Sequence, residues 1–158
     1  MKVREAMTAV PVTIRAGETA EAAAACMARH RVRHLPVVDA HGALEGVVTD
    51  RDLRHCLLSP AVMDQLGHVP VTALLAKVPV RDVMASPVVV TTPETELPDA
   101  VAVMRDRRVG SLAVVEGPRL VGIITETDLL RRVMALDTIE PRATPDDDDV
   151  VAIVVSYP

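Results

Sequence analysis

The stretch GVVTDRDL at residues 46–53 decides the fold, because the chain repeats it as GIITETDL at residues 122–129. Each copy is an apolar, β-branched run that ends in Thr and is followed by two polar residues, an Asp and a Leu. The apolar run is typical of a buried strand, and Thr-x-x-Asp is typical of the first turn of a helix. A duplicated strand-to-helix junction indicates either a structural cap used twice or a pair of ligand sites.

The segments around the two junctions also recur, in the same order. VREAMTAVPVTI (3–14) aligns with VRDVMASPVVVT (80–91), and RHLPVVD (33–39) aligns with GSLAVVE (110–116), at a separation of 77 residues. The separation falls to 76 at the second junction, and the lost residue lies in a predicted hairpin turn, where deletions are tolerated. The periodicities in each copy predict the order β-α-β-β-α. We therefore predict an α/β (α+β) fold in which the two repeats pack as one module about a pseudo-twofold axis.

The repeat divides the chain of 158 residues into four parts. They are the first repeat (1–58), a connecting helical segment (59–79), the second repeat (80–136), and an acidic linker with a C-terminal strand (137–158). The helix after GVVTDRDL is expected to break around Pro60 or to end near Gly67, and VTALLAK (71–77) predicts a further short helix. The uncharged ending VVAIVVSYP (150–158) has strong β-propensity, so we expect it to pair with a sheet edge.

The composition excludes several classes of protein. Hydrophobic residues make up 49% of the chain but aromatic residues only 1%, which disfavours the aromatic platforms that bind single-stranded nucleic acid. The net charge is −5, to which the four aspartates at 146–149 contribute most, and no basic stripe suits a duplex. No apolar run approaches the ~20 residues needed to span a bilayer. We therefore expect neither a nucleic-acid partner nor insertion into a membrane.

Metal-binding and catalytic patterns are also missing from the sequence. Cys26 and Cys56 have no metal-type spacing, and the five histidines form no helical ligand pair with a carboxylate. No nucleophile is followed by a recognisable base and orienting group, so no catalytic residue is predicted and an enzyme is disfavoured. The charged N-terminal residues do not resemble a signal peptide. A reduced, cytoplasmic protein without a metal site is the expectation.

The Thr-x-x-Asp pattern has two interpretations, which apply to Thr49 with Asp52 and to Thr125 with Asp128. In a capping box, the Thr accepts from the N–H of the third helical residue while the Asp accepts from the N–H of the Thr, and each cap contributes about 1 kcal/mol. In a ligand site, the same helix start attracts a phosphate, and the carboxylate accepts from the two neighbouring hydroxyls of a ribose. Spacing alone favours the cap and leaves the ligand site open.

Taken together, the recurring segments resemble a tandem pair of cystathionine-β-synthase-type (CBS) domains, over roughly residues 3–54 and 80–131. The resemblance implies a pseudo-symmetric module with two clefts between the repeats. In the family these clefts often bind adenine nucleotides or related molecules, here AMP, ADP, ATP or S-adenosylmethionine, and the modules commonly form flat dimers. The repeats differ where Gly110 and Ser111 replace Arg33 and His34, so the two clefts are expected to be unequal.

The resemblance also implies roles for individual residues. Asp52 and Asp128 would hold ribose, with Thr49 and Thr125 assisting at the phosphate. The positions before the second strand of each repeat face the phosphates in the family. They are Arg33 and His34 in the first repeat and Ser111 in the second. Arg51, which precedes Asp52, is a further candidate. More positive charge near the first junction predicts unequal phosphate preference.

These patterns predict a regulatory module that binds an adenosine-type nucleotide as its ligand, needs no cofactor, forms a homodimer and acts on a protein partner that the sequence does not name. One alternative is a structural dimerisation module with empty clefts, in which the C-terminal strand makes the functional contact. The other is an enzyme that uses a cleft, and the missing catalytic constellation disfavours it.

Overall fold

The computed structural model describes residues 1–58 and 69–135, and the bounds of its elements are as follows. The helices are α1 (Ala20–His30), α2 (Asp50–Leu57), α3 (Val71–Leu75), α4 (Leu97–Arg107) and α5 (Glu126–Ala135). The strands are β1 (Thr8–Ala9), β2 (His34–Val38), β3 (Leu44–Thr49), β4 (Val90–Thr91), β5 (Ser111–Glu116) and β6 (Arg119–Thr125). Two single 3-10 turns span Val3–Glu5 and Val80–Asp82.

The strands form two small sheets, one for each repeat. A two-stranded antiparallel sheet pairs β2 with β3, and a four-stranded sheet has the order β1-β6-β5-β4. The second repeat has the predicted order β-α-β-β-α, with β4 parallel to β5. In the first repeat the first strand is reduced to one parallel bridge between Ile14 and Val37. The predicted mixed fold of two repeats in one module is confirmed.

The helices begin and end as their sequences dictate. Thr19 caps α1 by accepting a hydrogen bond from the Ala22 N–H at 3.1 Å. Helices α1 and α4 end at Arg31 and Arg108, both in the left-handed region with φ near 55°. After each of these residues the chain enters a strand, so the left-handed residue turns the backbone from the helix back onto the sheet. Equivalent residues therefore end equivalent helices in the two repeats.

The two 3-10 turns are exchanged between the repeats, which means that the turn of each repeat packs in the core of the other. The Val3 N–H donates to the Thr95 carbonyl at 2.9 Å, and the Val80 N–H donates to the Glu18 carbonyl at 2.7 Å. Both valines are fully buried. Val3 packs in the hydrophobic core of the second repeat, and Val80 packs in the core of the first. Each repeat therefore completes its partner's core, an arrangement that the alignment of the two copies does not predict.

The sheets and hairpin turns join the repeats in the same reciprocal way. Strand β1, from the first repeat, pairs with β6 of the second, and Ala85 of the second repeat forms a bridge with Val47 of the first. At the hairpin turns, the Leu44 N–H donates to the Pro118 carbonyl at 3.1 Å. These backbone contacts make the two repeats one folding unit.

The core is formed by runs of consecutive buried residues in the paired strands, since Pro36 is buried between Leu35 and Val37. Leu35, Val37 and Val48 are fully buried in the first repeat, and their counterparts in the second repeat are Leu112, Val114 and Ile124. Met27 and Met104 lie in the two cores with 6% and 5% exposure, which confirms core packing as the reason for these two recurring methionines. Helix α3 confirms the short helix predicted from VTALLAK. The predicted break around Pro60, the acidic run and the C-terminal strand lie outside the described residues.

Gly46 on β3 and Gly122 on β6 each leave room for a methionine that the other repeat contributes. A Cβ on Gly46 would lie 2.6 Å from Met84 Sδ, and one on Gly122 would lie 2.6 Å from Met7 Sδ and 3.2 Å from the Thr8 carbonyl oxygen. The thioether can move, but the carbonyl oxygen belongs to the paired strand β1. Glycine at these positions therefore permits the exchanged strands to pack closely.

We expect Gly122→Ala to lower the free energy of unfolding by about 1–3 kcal/mol, the cost of overpacking a core. Urea denaturation followed by circular dichroism measures this change. Gly17→Ala is the control, because nothing lies within 4 Å of the position its Cβ would take. Equal stability of the two variants would contradict the proposed role of Gly122.

Candidate functional site

A cleft of about 870 Å³ opens between the two repeats. The first repeat contributes the start of β2 and the β3–α2 junction, while the second contributes the segment before β4, the end of α4 and the start of α5. Six of the residues predicted from the sequence line this one cleft, namely Arg33, His34, Thr49, Arg51, Asp52 and Ser111. Residues from both repeats therefore surround one space.

The first junction forms a complete capping box on the wall of this cleft. Asp52 Oδ2 accepts from the Thr49 N–H at 2.8 Å and from the Thr49 hydroxyl at 2.7 Å. Thr49 Oγ1 in turn accepts from the Asp52 N–H at 3.2 Å. Asp52 Oδ1 has no hydrogen-bond partner among the described residues, and the side chain is only half-buried. The capping interpretation is thus correct in structural terms, yet it uses one carboxylate oxygen and leaves the other without a partner in the described part of the chain.

The second junction forms the same capping box in a more closed setting. Asp128 Oδ2 accepts from the Thr125 N–H at 2.9 Å and from its hydroxyl at 2.7 Å. Asp128 is only 8% exposed, and its other oxygen accepts from Arg131 Nη1 at 3.4 Å. Thr125 and Asp128 line neither the large cleft nor the smaller one of about 520 Å³ that lies beside the hairpin turns. The structure therefore separates these two residues from the six that line the large cleft.

Arginines dominate the charge of the large cleft. Five arginines and three carboxylates line it. Arg54 pairs with Asp50 at 3.0 Å, and Arg105 pairs with Asp106 at 2.8 Å. The other three, Arg33, Arg51 and Arg108, form no ion pair within the described part of the chain. These three guanidinium groups are available to a bound anion, and guanidinium pairs well with phosphate oxygens.

His34 lies at the centre of this charged surface, opposite Thr49 in the β2–β3 register. Its Nε2 atom and a Glu126 carboxylate oxygen both lie 3.5 Å from the position of a Cβ on Gly110, so side chains from the two repeats lie on either side of this glycine. Burial lowers the pKa of His34 below its ordinary value, and the charge of Arg33 lowers it further. The carboxylates of Asp50, Glu126 and Asp52 oppose this shift without cancelling it.

We expect this shift to weaken the fold at mildly acidic pH. The unfolded chain binds a proton at the ordinary histidine pKa of about 6.5, whereas folded His34 binds one only at a lower pH. Stability therefore falls as the pH drops through the ordinary pKa toward the lowered one. His34→Gln should lose this part of the pH dependence, measured by urea unfolding between about pH 7.5 and 5.5. The exposed His41→Gln is the control, and an unchanged pH profile in His34→Gln would contradict the assignment.

Several lining residues escaped the sequence interpretation. Arg105, Arg108 and Glu126 are not among the site residues predicted from the sequence. The structure brings all three to the large cleft. No sequence pattern marks Arg108 as a cleft residue, because its position depends on the left-handed conformation in which it ends α4.

A duplicated β-α-β-β-α unit with a cleft between its copies has the architecture of a tandem CBS domain pair. The sequence model of the CBS domain matches residues 3–59 and 80–135 of this chain, which together make up more than half of its length. The chain therefore belongs to the CBS domain family, as the resemblance predicted.

Three similar proteins extend this assignment. The CBS domain-containing protein YhcV of Bacillus subtilis is 32% identical over 127 residues, covering 80% of this chain and 81% of YhcV. The crystal structure of AcuB from Vibrio cholerae matches with a TM-score of 0.72 at 31% identity, covering 86% of this chain and 92% of that one. The structure of CBSX2 in complex with AMP matches with a TM-score of 0.69 at 25% identity, covering 85% and 97%. All three matches span most of both chains.

Two further properties concern the described residues alone. None of their helices combines the length and apolar character required to cross a bilayer. Within the same residues, no three side chains of His, Cys, Asp or Glu are grouped closely enough to hold a metal ion.

Proposed function

We propose that this protein is a regulatory module that senses an adenosine-type nucleotide in the cleft between its two repeats. The observation that carries the proposal is the position of Asp52. Its carboxylate is fixed by the capping box through Oδ2, while Oδ1 has no partner among the described residues and the side chain lines a cleft of about 870 Å³. A cleft of this volume is within the range that small-molecule ligands occupy. The AMP bound by the similar protein CBSX2 supports the same class of ligand.

The residues of the cleft divide by chemistry into three groups. Asp52 would accept hydrogen bonds from the ribose hydroxyls, and the arginines and Thr49 would contact phosphate. Aliphatic side chains, among them Val47, Val88 and Val89, line the cleft as well and would hold the base, because the chain supplies almost no aromatic residue for stacking. The corresponding roles of Thr125 and Asp128 in a second cleft remain a prediction from the family resemblance.

Binding would regulate by linking the repeats, not by catalysis. The ligand would touch both repeats, so its affinity depends on their relative position. It can shift that position only by as much as its affinities for the two arrangements differ. A protein partner that contacts the module would respond to the shift.

We also propose a homodimer as the working form. Helix α5 exposes three large apolar side chains, Leu130, Val133 and Met134, with exposures of 46–69%. Exposed apolar side chains on one helix favour an interaction site, and the family resemblance implies a second copy of the chain as the partner. Sedimentation velocity should give the mass of a dimer, and a monomer at all accessible concentrations would rule this part out.

A thermal-shift screen tests the ligand proposal. The compounds are AMP, ADP, ATP, S-adenosylmethionine, NADH and cyclic dinucleotides. A ligand at about a hundredfold excess over its Kd stabilises the folded state by about 2.7 kcal/mol, which shifts the Tm of a domain of this size by several degrees. A selective shift by an adenosine nucleotide is expected. No shift from any compound would overturn the proposal and favour the structural dimerisation module.

A further inference from the structure

We infer that the chain binds a nucleoside polyphosphate, in one cleft only, and discriminates against adenosine ligands that carry no phosphate. The inference rests on the proposed function and specifies its ligand and its stoichiometry. Two differences between the repeats carry it. They differ in which positions hold arginine, and in whether the second carboxylate oxygen of the capping Asp has a hydrogen-bond partner.

The first step concerns where the arginines lie. Both repeats send arginines to the large cleft, the first through Arg33, Arg51 and Arg54, and the second through Arg105 and Arg108. The three carboxylates that line the same cleft leave an excess of positive charge, with His34 held neutral by its lowered pKa. An anion entering from solvent would meet this excess on both walls.

The second step compares each arginine with its counterpart in the other repeat. The counterparts of Arg33, Arg51 and Arg54 are Gly110, Thr127 and Leu130, and those of Arg105 and Arg108 are Ala28 and Arg31. A symmetry-related cleft would therefore hold two arginines, Arg31 and Arg33 (the counterpart of Gly110), where the large cleft holds five. The duplicated fold does not require this difference, so the charge is a property of one cleft.

The third step compares the two capping carboxylates. Asp128 is almost completely buried, and its Oδ1 atom accepts from Arg131. The counterpart of Arg131 in the first repeat is His55, and Asp52 Oδ1 has no partner in the described part of the chain. Only the first junction therefore offers a free acceptor for ribose hydroxyls beside unpaired arginines.

The fourth step follows from the charge of the ligand. A phosphate monoester carries about −1.5 to −2 at neutral pH, and each additional phosphate adds further negative charge and more acceptor oxygens. Arg33, Arg51 and Arg108, which form no ion pair among the described residues, can contact several phosphates at once. S-Adenosylmethionine carries one carboxylate but also a positive sulfonium and an ammonium group, and adenosine carries no charge, so both would gain less from these groups than a polyphosphate.

Isothermal titration calorimetry of the full chain with adenosine, S-adenosylmethionine, AMP, ADP and ATP tests the inference. Affinity should rise with each phosphate, with ATP bound at least about 100-fold more tightly than adenosine, at one ATP per chain. S-Adenosylmethionine bound as tightly as ATP, or two equivalent ATP sites per chain, would overturn the inference while leaving the nucleotide-sensing function intact. No binding of any of the five compounds would instead refute the function itself.

Neighbouring arginines at the end of α4 provide a matched pair of variants. Arg108 lines the cleft, whereas Arg107 is also exposed but does not line it. Arg108→Gln and Arg51→Gln should each weaken ATP binding by about 10- to 100-fold and leave adenosine binding unchanged. Arg107→Gln should leave both unchanged. Circular dichroism checks that all variants are folded, and equal ATP affinities of the Arg107 and Arg108 variants would contradict the assignment of phosphate contacts.

Discussion

Replacing Val3 with Asp will unfold the second half of the chain, although Val3 lies in the first repeat. Its side chain is fully buried among Met104, Leu112 and Ile124 of the second repeat. A buried carboxylate without a partner costs several kcal/mol, which is a large share of the 5–15 kcal/mol that stabilises a typical domain. We therefore expect Val3→Asp to lose most of its cooperative thermal transition. Val10→Asp is the control, because Val10 is 90% exposed and its φ of 49° suits Asp better than Val.

A milder pair of variants identifies which repeat each valine supports. Val3→Ala and Val80→Ala remove buried methyl groups without introducing a charge, so both proteins should stay folded. Hydrogen exchange should then speed up in β5 and β6 for Val3→Ala and in β2 and β3 for Val80→Ala, because local opening follows the weakened core. Faster exchange confined to the repeat that contains each substituted residue would contradict the exchange of segments.

The internal repeat could be predicted from the sequence because it rests on local patterns. Alternating strands, helical spacing and the two Thr-x-x-Asp caps each depend on neighbours a few residues apart. The exchange of the two short turns could not be predicted in this way. A turn such as Val3–Glu5 has no periodicity of its own, and both copies carry the same VR motif, so either copy could fit either core. Only the three-dimensional contacts distinguish the two arrangements.

The candidate site was predicted in part for the same reason. Local motifs and the family resemblance pointed to Thr49, Asp52 and the residues before β2. The second wall of the cleft comes from the end of α4, which is about 55 residues further along the chain. At this end, Arg107 and Arg108 have identical side chains. Which of the two arginines faces the cleft depends on how α4 ends, and sequence spacing does not encode that orientation.

The sequence likewise did not predict whether the second oxygen of each carboxylate has a hydrogen-bond partner. Both junctions have Asp at the same place and make the same capping bonds, with Oδ2 to Thr distances of 2.7 Å in each. They differ in what surrounds Oδ1, and that difference arises from Arg131 and from burial, not from the motif. A capping box and a ligand site are therefore compatible at Asp52, because its two oxygens serve separate partners.

Asp52→Asn will weaken ATP binding by about 10- to 150-fold while leaving thermal stability nearly unchanged. The amide keeps one oxygen, which the Thr49 N–H can still use, so its nitrogen takes the place of Oδ1 and cannot accept from a ribose hydroxyl. Losing a hydrogen bond to a charged acceptor costs about 1.5–3 kcal/mol, which corresponds to that loss of affinity. Titration calorimetry and a thermal melt of the unliganded protein measure the two quantities separately.

Asp128→Asn is the counterpart that separates a ligand contact from a cap. It keeps the cap oxygen but gives up the ion pair with Arg131, so a modest loss of stability and an ATP affinity within about twofold of the unmodified protein are expected. Equal losses of affinity in both variants would mean that both junctions hold ribose, contrary to a single site. Unchanged affinity in both would leave Asp52 with a capping role alone, and the ribose would then have to be held by another group of the cleft. The pair thus distinguishes one site, two sites and none at these carboxylates, because the two residues share a motif and differ in burial and in the partner of one oxygen.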